Sequence, residues 1–225
     1  MSSFSIAIDG PAGAGKSTIA RQLAKNLGCI YIDTGAMYRA VGLYFIKKNM
    51  DYNDEALVQS HLGKIKIDLR HQDGNQQIFL NDEDVSTAIR TQSVADAASK
   101  VATYKEVRSL LVSMQRQLKL KHSVVMDGRD IGTVVMPDAT LKIFLTATAE
   151  ERAKRRYLEY KEKGMDIPIE SIYQQIVDRD YQDSHREHSP LTKAEDAIEV
   201  DTTNQTIEDI IEQITKLLKN RQELA

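Results

Sequence analysis

Five short runs along the chain are apolar without regular alternation: 4–9, 29–33, 123–127, 141–146 and 197–201. Continuous apolar character over such lengths is what a strand covered on both faces requires. Between these runs the period changes to that of a helix. After the first, Ile19, Ala20, Leu23, Ala24 and Leu27 recur at helical spacing over 18–27 and stop at Gly28, a favoured residue for ending a helix. Further helical patterns cover 38–48, 91–103, 104–120, 148–163, 171–181 and 206–218. The last carries Ile207, Ile210, Ile211, Ile214, Leu217 and Leu218 as one stripe, which reads as core packing. Strands alternating with helices predict a parallel sheet wound by right-handed crossovers, with functional residues gathered at the C-terminal strand ends.

One stretch departs from that pattern. Residues 64–69 alternate polar and apolar, Asp73-Gly74-Asn75 offers a turn, 77–80 follow, and Val85 begins another short run. This predicts a hairpin or small antiparallel sheet of half-exposed strands, inserted as a lobe beside an acceptor site. Further on, Gly164-Met165-Asp166-Ile167-Pro168 breaks the strongly charged helix over 148–163.

Composition changes the picture in three respects. A length of 225 residues with 41% hydrophobic content suits one α/β domain with insertions. A net charge of -3 gives no reason to expect nucleic acid as a partner. Cys29 is the single cysteine, so an internal disulfide is impossible; within Cys29-Ile30-Tyr31-Ile32 it reads as a small buried hydrophobe in a reducing compartment. The first residues run straight into a strand, and no apolar run approaches the roughly 20 residues that span a bilayer. The expectation is a soluble cytoplasmic protein without membrane attachment, monomeric by default.

The strongest chemistry lies at the end of the first strand. Gly10-Pro11-Ala12-Gly13-Ala14-Gly15-Lys16-Ser17 fits the phosphate-binding loop G-x-x-x-x-G-K-[ST], with a strand before it and a helix, opening at Thr18, after it. Glycines let successive N–H groups turn inward, and the helix N-terminus adds partial positive charge. Lys16 is placed to reach the β- and γ-phosphates of a nucleoside triphosphate, and the Ser17 hydroxyl to ligate Mg²⁺.

A guanine-specific switch would carry Asn-Lys-x-Asp late in the chain, where Thr192-Lys193-Ala194-Glu195 does not fit. A second set of cationic positions stands instead: Arg39, Arg108, Arg129, Arg179 and Arg186, with Arg152, Arg155 and Arg156 clustered on one charged helix. The guanidinium fork grips phosphate bidentately and keeps its charge. No convincing general base for an alcohol acceptor emerges, and a phosphate acceptor needs none, being already anionic. Phosphate-to-phosphate transfer is favoured, although Asp33 and Asp127 leave an alcohol acceptor open. The contrasting reading is a nucleotide-dependent switch with no acceptor at all.

Taken together, these strings resemble the bacterial cytidylate (CMP) kinases. The resemblance is carried by the phosphate loop with Ile8-Asp9 before it, Asp33-Thr34-Gly35-Ala36-Met37-Tyr38-Arg39, Ile89-Arg90-Thr91-Gln92 and Val94-Ala95-Asp96-Ala97-Ala98-Ser99. Asp127-Gly128-Arg129-Asp130-Ile131-Gly132-Thr133-Val134-Val135 and Glu151-Arg152-Ala153-Lys154-Arg155-Arg156 complete it, in the family's order across essentially the whole chain. It implies the P-loop nucleoside monophosphate kinase fold, with a central parallel five-stranded sheet, a small antiparallel β insertion and a helical lid. The implied division is a core ATP-binding domain of 1–33, 88–147 and 190–225, an acceptor lobe of 34–87 with its β insertion near 63–87, and a lid region of 148–189.

The implied reaction moves the γ-phosphoryl group of ATP to CMP or dCMP with Mg²⁺; a UMP, AMP or shikimate-type kinase is the alternative. ATP would sit over Gly10–Thr18. Arg39 and Arg129 would hold the CMP phosphate, helped by Arg186. Thr34, Ser99, Arg108 and Asp130 would read cytosine, with Tyr38 in the same substrate-binding set, while Arg179 and Asp183 would hold the ribose hydroxyls. Arg152, Arg155 and Arg156 would close on the triphosphate. The family often has serine where Thr34 stands, which keeps the hydroxyl, and the loop ends in Lys-Ser rather than Lys-Gly. Asp127 has two readings, orienting metal-bound waters or positioning the Arg129 loop.

Overall fold

The computed structural model describes residues 4–72, 75–120, 122–162 and 164–223. Its main sheet runs in the order β2-β6-β1-β7-β8, formed by Ser5–Asp9 (β1), Ile30–Asp33 (β2), Val124–Gly128 (β6), Leu141–Thr146 (β7) and Ile198–Asp201 (β8). The five apolar runs are these five strands, displaced by a residue at most at either end. β1 pairs in parallel with both β6 and β7, and β7 with β8. All five residues of β1 are buried, which is why that run shows no alternation.

The chain gathers into two compact units, Met1–Cys29 with Ser123–Ala225, and Ile30–His122. In the first, the helix Lys16–Leu27 (α1) packs against β6 and the terminal helix Ile207–Glu223 (α8). Helices Ala149–Glu162 (α6) and Ile169–Ser184 (α7) pack on one another through Ala153, Ile172 and Ile176.

The second unit is built on Thr34–Lys47 (α2), whose Met37, Val41 and Phe45 are fully buried in its core. α2 starts four residues before the sequence pattern predicts. Asp33 is the reason: its side chain accepts from the Ala36 N–H and caps the helix at the strand's end. Gln92–Val101 (α4) crosses α2 at Gly42, where an added Cβ would lie 2.9 Å from the Ala98 nitrogen. Lys105–Lys119 (α5) contributes Val107 and Leu111 to the same core.

The inserted lobe is a three-stranded antiparallel sheet of Ile67–Gln72 (β3), Asn75–Leu80 (β4) and Glu83–Asp84 (β5). The strand expected at 64–69 begins at Ile67, because Leu62–Lys64 closes a 3₁₀ turn first. Asp73 and Gly74 of the expected turn lie outside the described residues. Val85 stands after the third strand as a buried core residue rather than opening it.

Several elements add to the sequence reading, the 3₁₀ turns Leu62–Lys64 and Ala88–Arg90 among them. Glu55–His61 (α3) is capped by Asp54 but buries only Val58, too little to produce a periodic pattern. Ile131–Val135 forms a single π-helical turn directly after Arg129 and Asp130. Among the described residues, no helix is long and apolar enough to cross a membrane.

Candidate active site

The phosphate loop leaves β1 at Gly10, whose φ of 147° belongs to glycine, and an added Cβ there would sit 2.1 Å from the Leu145 carbonyl oxygen. Lys16 follows the loop as the first residue of α1, buried to 6% exposure. Its Nζ donates to the Pro11 carbonyl at 2.6 Å, so the loop's own backbone holds the ammonium. Burial pushes that ammonium well below the ordinary lysine range and nearby Arg129 adds to the effect, while Asp127, Asp183 and Asp9 oppose it. Ser17 Oγ donates to Asp127 Oδ2 at 2.8 Å, joining the start of α1 to the end of β6.

The next strand end carries the arginines. Arg129 Nε donates to Asp183 Oδ2 at 2.7 Å, and Arg186 approaches Asp183 Oδ1 at 3.8 Å. Burial pushes the Asp183 carboxyl up, but Arg129, Arg179 and Arg186 outweigh burial and hold it below the usual carboxylate range. Within the first unit, then, Lys16, Ser17, Asp127, Arg129, Arg179, Asp183 and Arg186 form one charged assembly at the ends of β1 and β6. Asp130 is buried beside it and raises the Asp9 carboxyl electrostatically.

The three charged-helix arginines behave differently from one another. Arg152 lies at 5% exposure; its Nε donates to Ala147 O and its terminal nitrogens to Ala12 O and to both oxygens of Asp180, the shortest at 2.6 Å. Arg155 bonds Glu151 and, through its terminal nitrogens, the hydroxyl and carbonyl of Thr202. The Thr202 hydroxyl in turn donates to Ala14 O at 3.4 Å. Arg152 thus touches the phosphate-loop backbone directly and Arg155 through one residue. Arg156 donates to Tyr160 Oη.

The second unit holds its own set. Asp33 Oδ2 accepts from Arg39 at 2.8 Å and from Arg90 at 3.4 Å, while Oδ1 accepts from Ala36 N. Thr34, directly after this cap, is buried, and Ser99 lies on α4. Arg108, at 4% exposure, donates to Ala102 O and sits 5.6 Å from the Tyr38 ring centre. Arg90, Asp180 and Thr202 are participants that the residue-by-residue reading passed over, though Arg90 lies in a string that carried the family resemblance. Their signal is geometric, since each acts on the backbone or on another charge rather than through a motif.

Asp9, at a strand's C-terminal end and in a string that carries the family resemblance, has no role of its own in the sequence reading. Its two oxygens accept from Ile131 N at 2.8 Å and Gly132 N at 2.7 Å. Burial pushes its carboxyl up to about 6 against the pull of those two bonds.

A sequence model of the cytidylate kinase family matches residues 6–220. The chain is 50% identical over 217 residues to a cytidylate kinase of Lactobacillus johnsonii, covering 96% of this chain and 94% of that protein. It is 52% identical over 217 residues to a cytidylate kinase of Caldicellulosiruptor saccharolyticus, covering 96% of each. Among solved structures it is similar in fold to an uncharacterized protein from Eubacterium ventriosum, with a TM-score of 0.54 at 11% identity, covering 97% of this chain and 99% of that one.

Proposed function

The chain belongs to the cytidylate kinase family, enzymes of phosphoryl transfer from ATP to CMP; from that premise we propose that it accepts dCMP as well, works with Mg²⁺ and transfers the γ-phosphoryl group in line. The observation that carries the phosphate acceptor is the state of the two candidate bases. Asp127 Oδ2 is engaged by Ser17, and Asp33 by Arg39, Arg90 and the α2 cap. Neither stands ready to take a proton from an alcohol, whereas the arginines suit an acceptor that arrives already charged.

Lys16 leaves the Pro11 carbonyl for the β- and γ-phosphates of ATP, exchanging one oxygen partner for several. Arg129 and Arg186 hold the acceptor phosphate, with Arg39 as a further cation for it. Arg179 and Asp183 take the ribose hydroxyls, a carboxylate being suited to accept both. Thr34, Tyr38, Ser99, Arg108 and Asp130 serve the base, whose exocyclic amine is a donor that Asp130 or Thr34 can accept. The Ser17 hydroxyl and Asp127 carboxylate fit Mg²⁺, being two hard oxygen donors 2.8 Å apart. The ion would supply charge neutralisation to the triphosphate. Arg155 and Arg156 are assigned to the lid, while Arg152, touching Ala12 O, holds the loop that the triphosphate fills. The reading carries with it action as a monomer in the cytoplasm, where the nucleotide pool lies.

The test is ADP release with Mg·ATP against CMP, dCMP, UMP, AMP and no acceptor. Turnover with CMP and dCMP, and little with AMP or UMP, is the expected result. Equal rates on all four would sink the base-reading residues, and release indifferent to any acceptor would sink the transferase.

A further inference from the structure

Asp9 is the last residue of β1, and the phosphate loop begins one position later. The residue is 5% exposed, and both carboxylate oxygens accept from the amides of Ile131 and Gly132. Those amides open the π-helical turn, whose first bonds run from Val134 N and Val135 N back to Asp130 O at 2.9 and 3.1 Å. A helical turn leaves its first N–H groups without internal partners, and an anion at that end is favoured by the aligned peptide dipoles. Here a side chain from another strand supplies the anion.

Arg129 and Asp130 are the two residues immediately before this turn, so the bonds to Asp9 fix their backbone. The fit is tight from the other side as well. A Cβ at Gly132 would lie 3.3 Å from Asp9 Oδ2 and 3.2 Å from Lys142 Cδ. The charged groups around the carboxylate are Asp130 and Lys16, with the Lys142 stem beside the turn.

We propose that Asp9 is a positioning residue that ties the Arg129–Asp130 loop to the strand carrying the phosphate loop, so that acceptor phosphate and donor triphosphate are held in one register. The proposal rests on Arg129 holding the acceptor phosphate. It requires no contact between Asp9 and either nucleotide. Its effect on rate follows from alignment, since displacement of a reacting group by about 1 Å costs on the order of 10²-fold.

The experiment compares Asp9→Asn, Gly132→Ala and Arg129→Lys, alone and with Asp9→Asn in the Arg129→Lys background. Asparagine keeps the shape but turns one acceptor into a donor facing an N–H. For Asp9→Asn, kcat/KM for CMP is expected to fall about 10–100-fold, while the Kd for ATP, measured separately by calorimetry, changes less than about twofold. Gly132→Ala, which disturbs the same bonds from the amide side, reproduces that selective loss and keeps the test alive if the asparagine variant does not fold. In the Arg129→Lys background the penalty of Asp9→Asn shrinks, because both substitutions spoil one alignment. Equal losses toward ATP and CMP, or full additivity with Arg129→Lys, would overturn the proposal. An Arg129→Lys enzyme with unaltered KM for CMP would overturn the acceptor role of Arg129, and with it the proposal, by a result visible in the single variant.

Discussion

Lys16 shows how a functional residue is kept at a cost to the fold. The residue is 6% exposed, and its buried ammonium, with Arg129 adding to the pressure on it, has Pro11 O as its backbone partner. Lys16→Met is therefore expected to lose at least about 10²–10³-fold in kcat/KM for ATP, while its melting temperature stays equal or rises, because a buried charge has been removed. Loss of stability together with activity would contradict that account. Asp9 gives a prediction with a pH sign. Its folded value of about 6 lies above the ordinary 3.8, so the native state binds the proton more tightly than the unfolded chain. The cost of holding the ionised carboxylate is full above pH 6 and is relieved as pH falls toward 4. Relative to Asp9→Asn, the wild type should gain about 1 kcal/mol in urea unfolding between pH 7 and pH 5. At this scale the loop Gly10–Ser17 was legible because its chemistry is local and its spacing fixed. The bonding of Arg152 was not. The sequence places that arginine with Arg155 and Arg156 as a group closing on the triphosphate, whereas α7, by bringing up Asp180, makes it a brace on Ala12.

Strands buried on both faces wrote themselves plainly into the sequence, and Leu141–Thr146 was found at its observed bounds. α2 was found late because its first turn is set by the Asp33 cap rather than by apolar spacing. The π-helical turn left no periodic signature, since what holds its first two amides is a carboxylate more than a hundred positions away. Helix packing gives a further test. At the α2–α4 crossing Gly42 faces Ala97 and Ala98, with 2.9 Å between a built Cβ and the Ala98 nitrogen. Backbone cannot move aside as a flexible side-chain end would. Gly42→Ala should cost about 1–3 kcal/mol, read as a fall of about 2–12 °C in melting temperature; an unchanged melting temperature would show that the crossing has room to spare.

Across the whole chain, unit one is discontinuous and unit two is not. Each unit carries a set of the proposed ligand residues, so ligands should stabilise the protein measurably. ATP at about 100 times its Kd adds about 2.7 kcal/mol, or about 5–10 °C of melting temperature for a chain this size. Lys16→Met should lose the ATP increment and keep the one from CMP; loss of both would mean that the variant has damaged more than the phosphate loop. The pairing of Ser5 with Val124 and of Ile6 with Leu141 reaches further. At a synthesis rate of about 5–20 residues per second, the first strand leaves the ribosome on the order of ten seconds before the strands on either side of it. The continuous unit is complete within that interval, while Gly10–Ser17 has no neighbouring strand to shape it. A translating chain therefore acquires its hold on nucleotide late, after most of its length has been made.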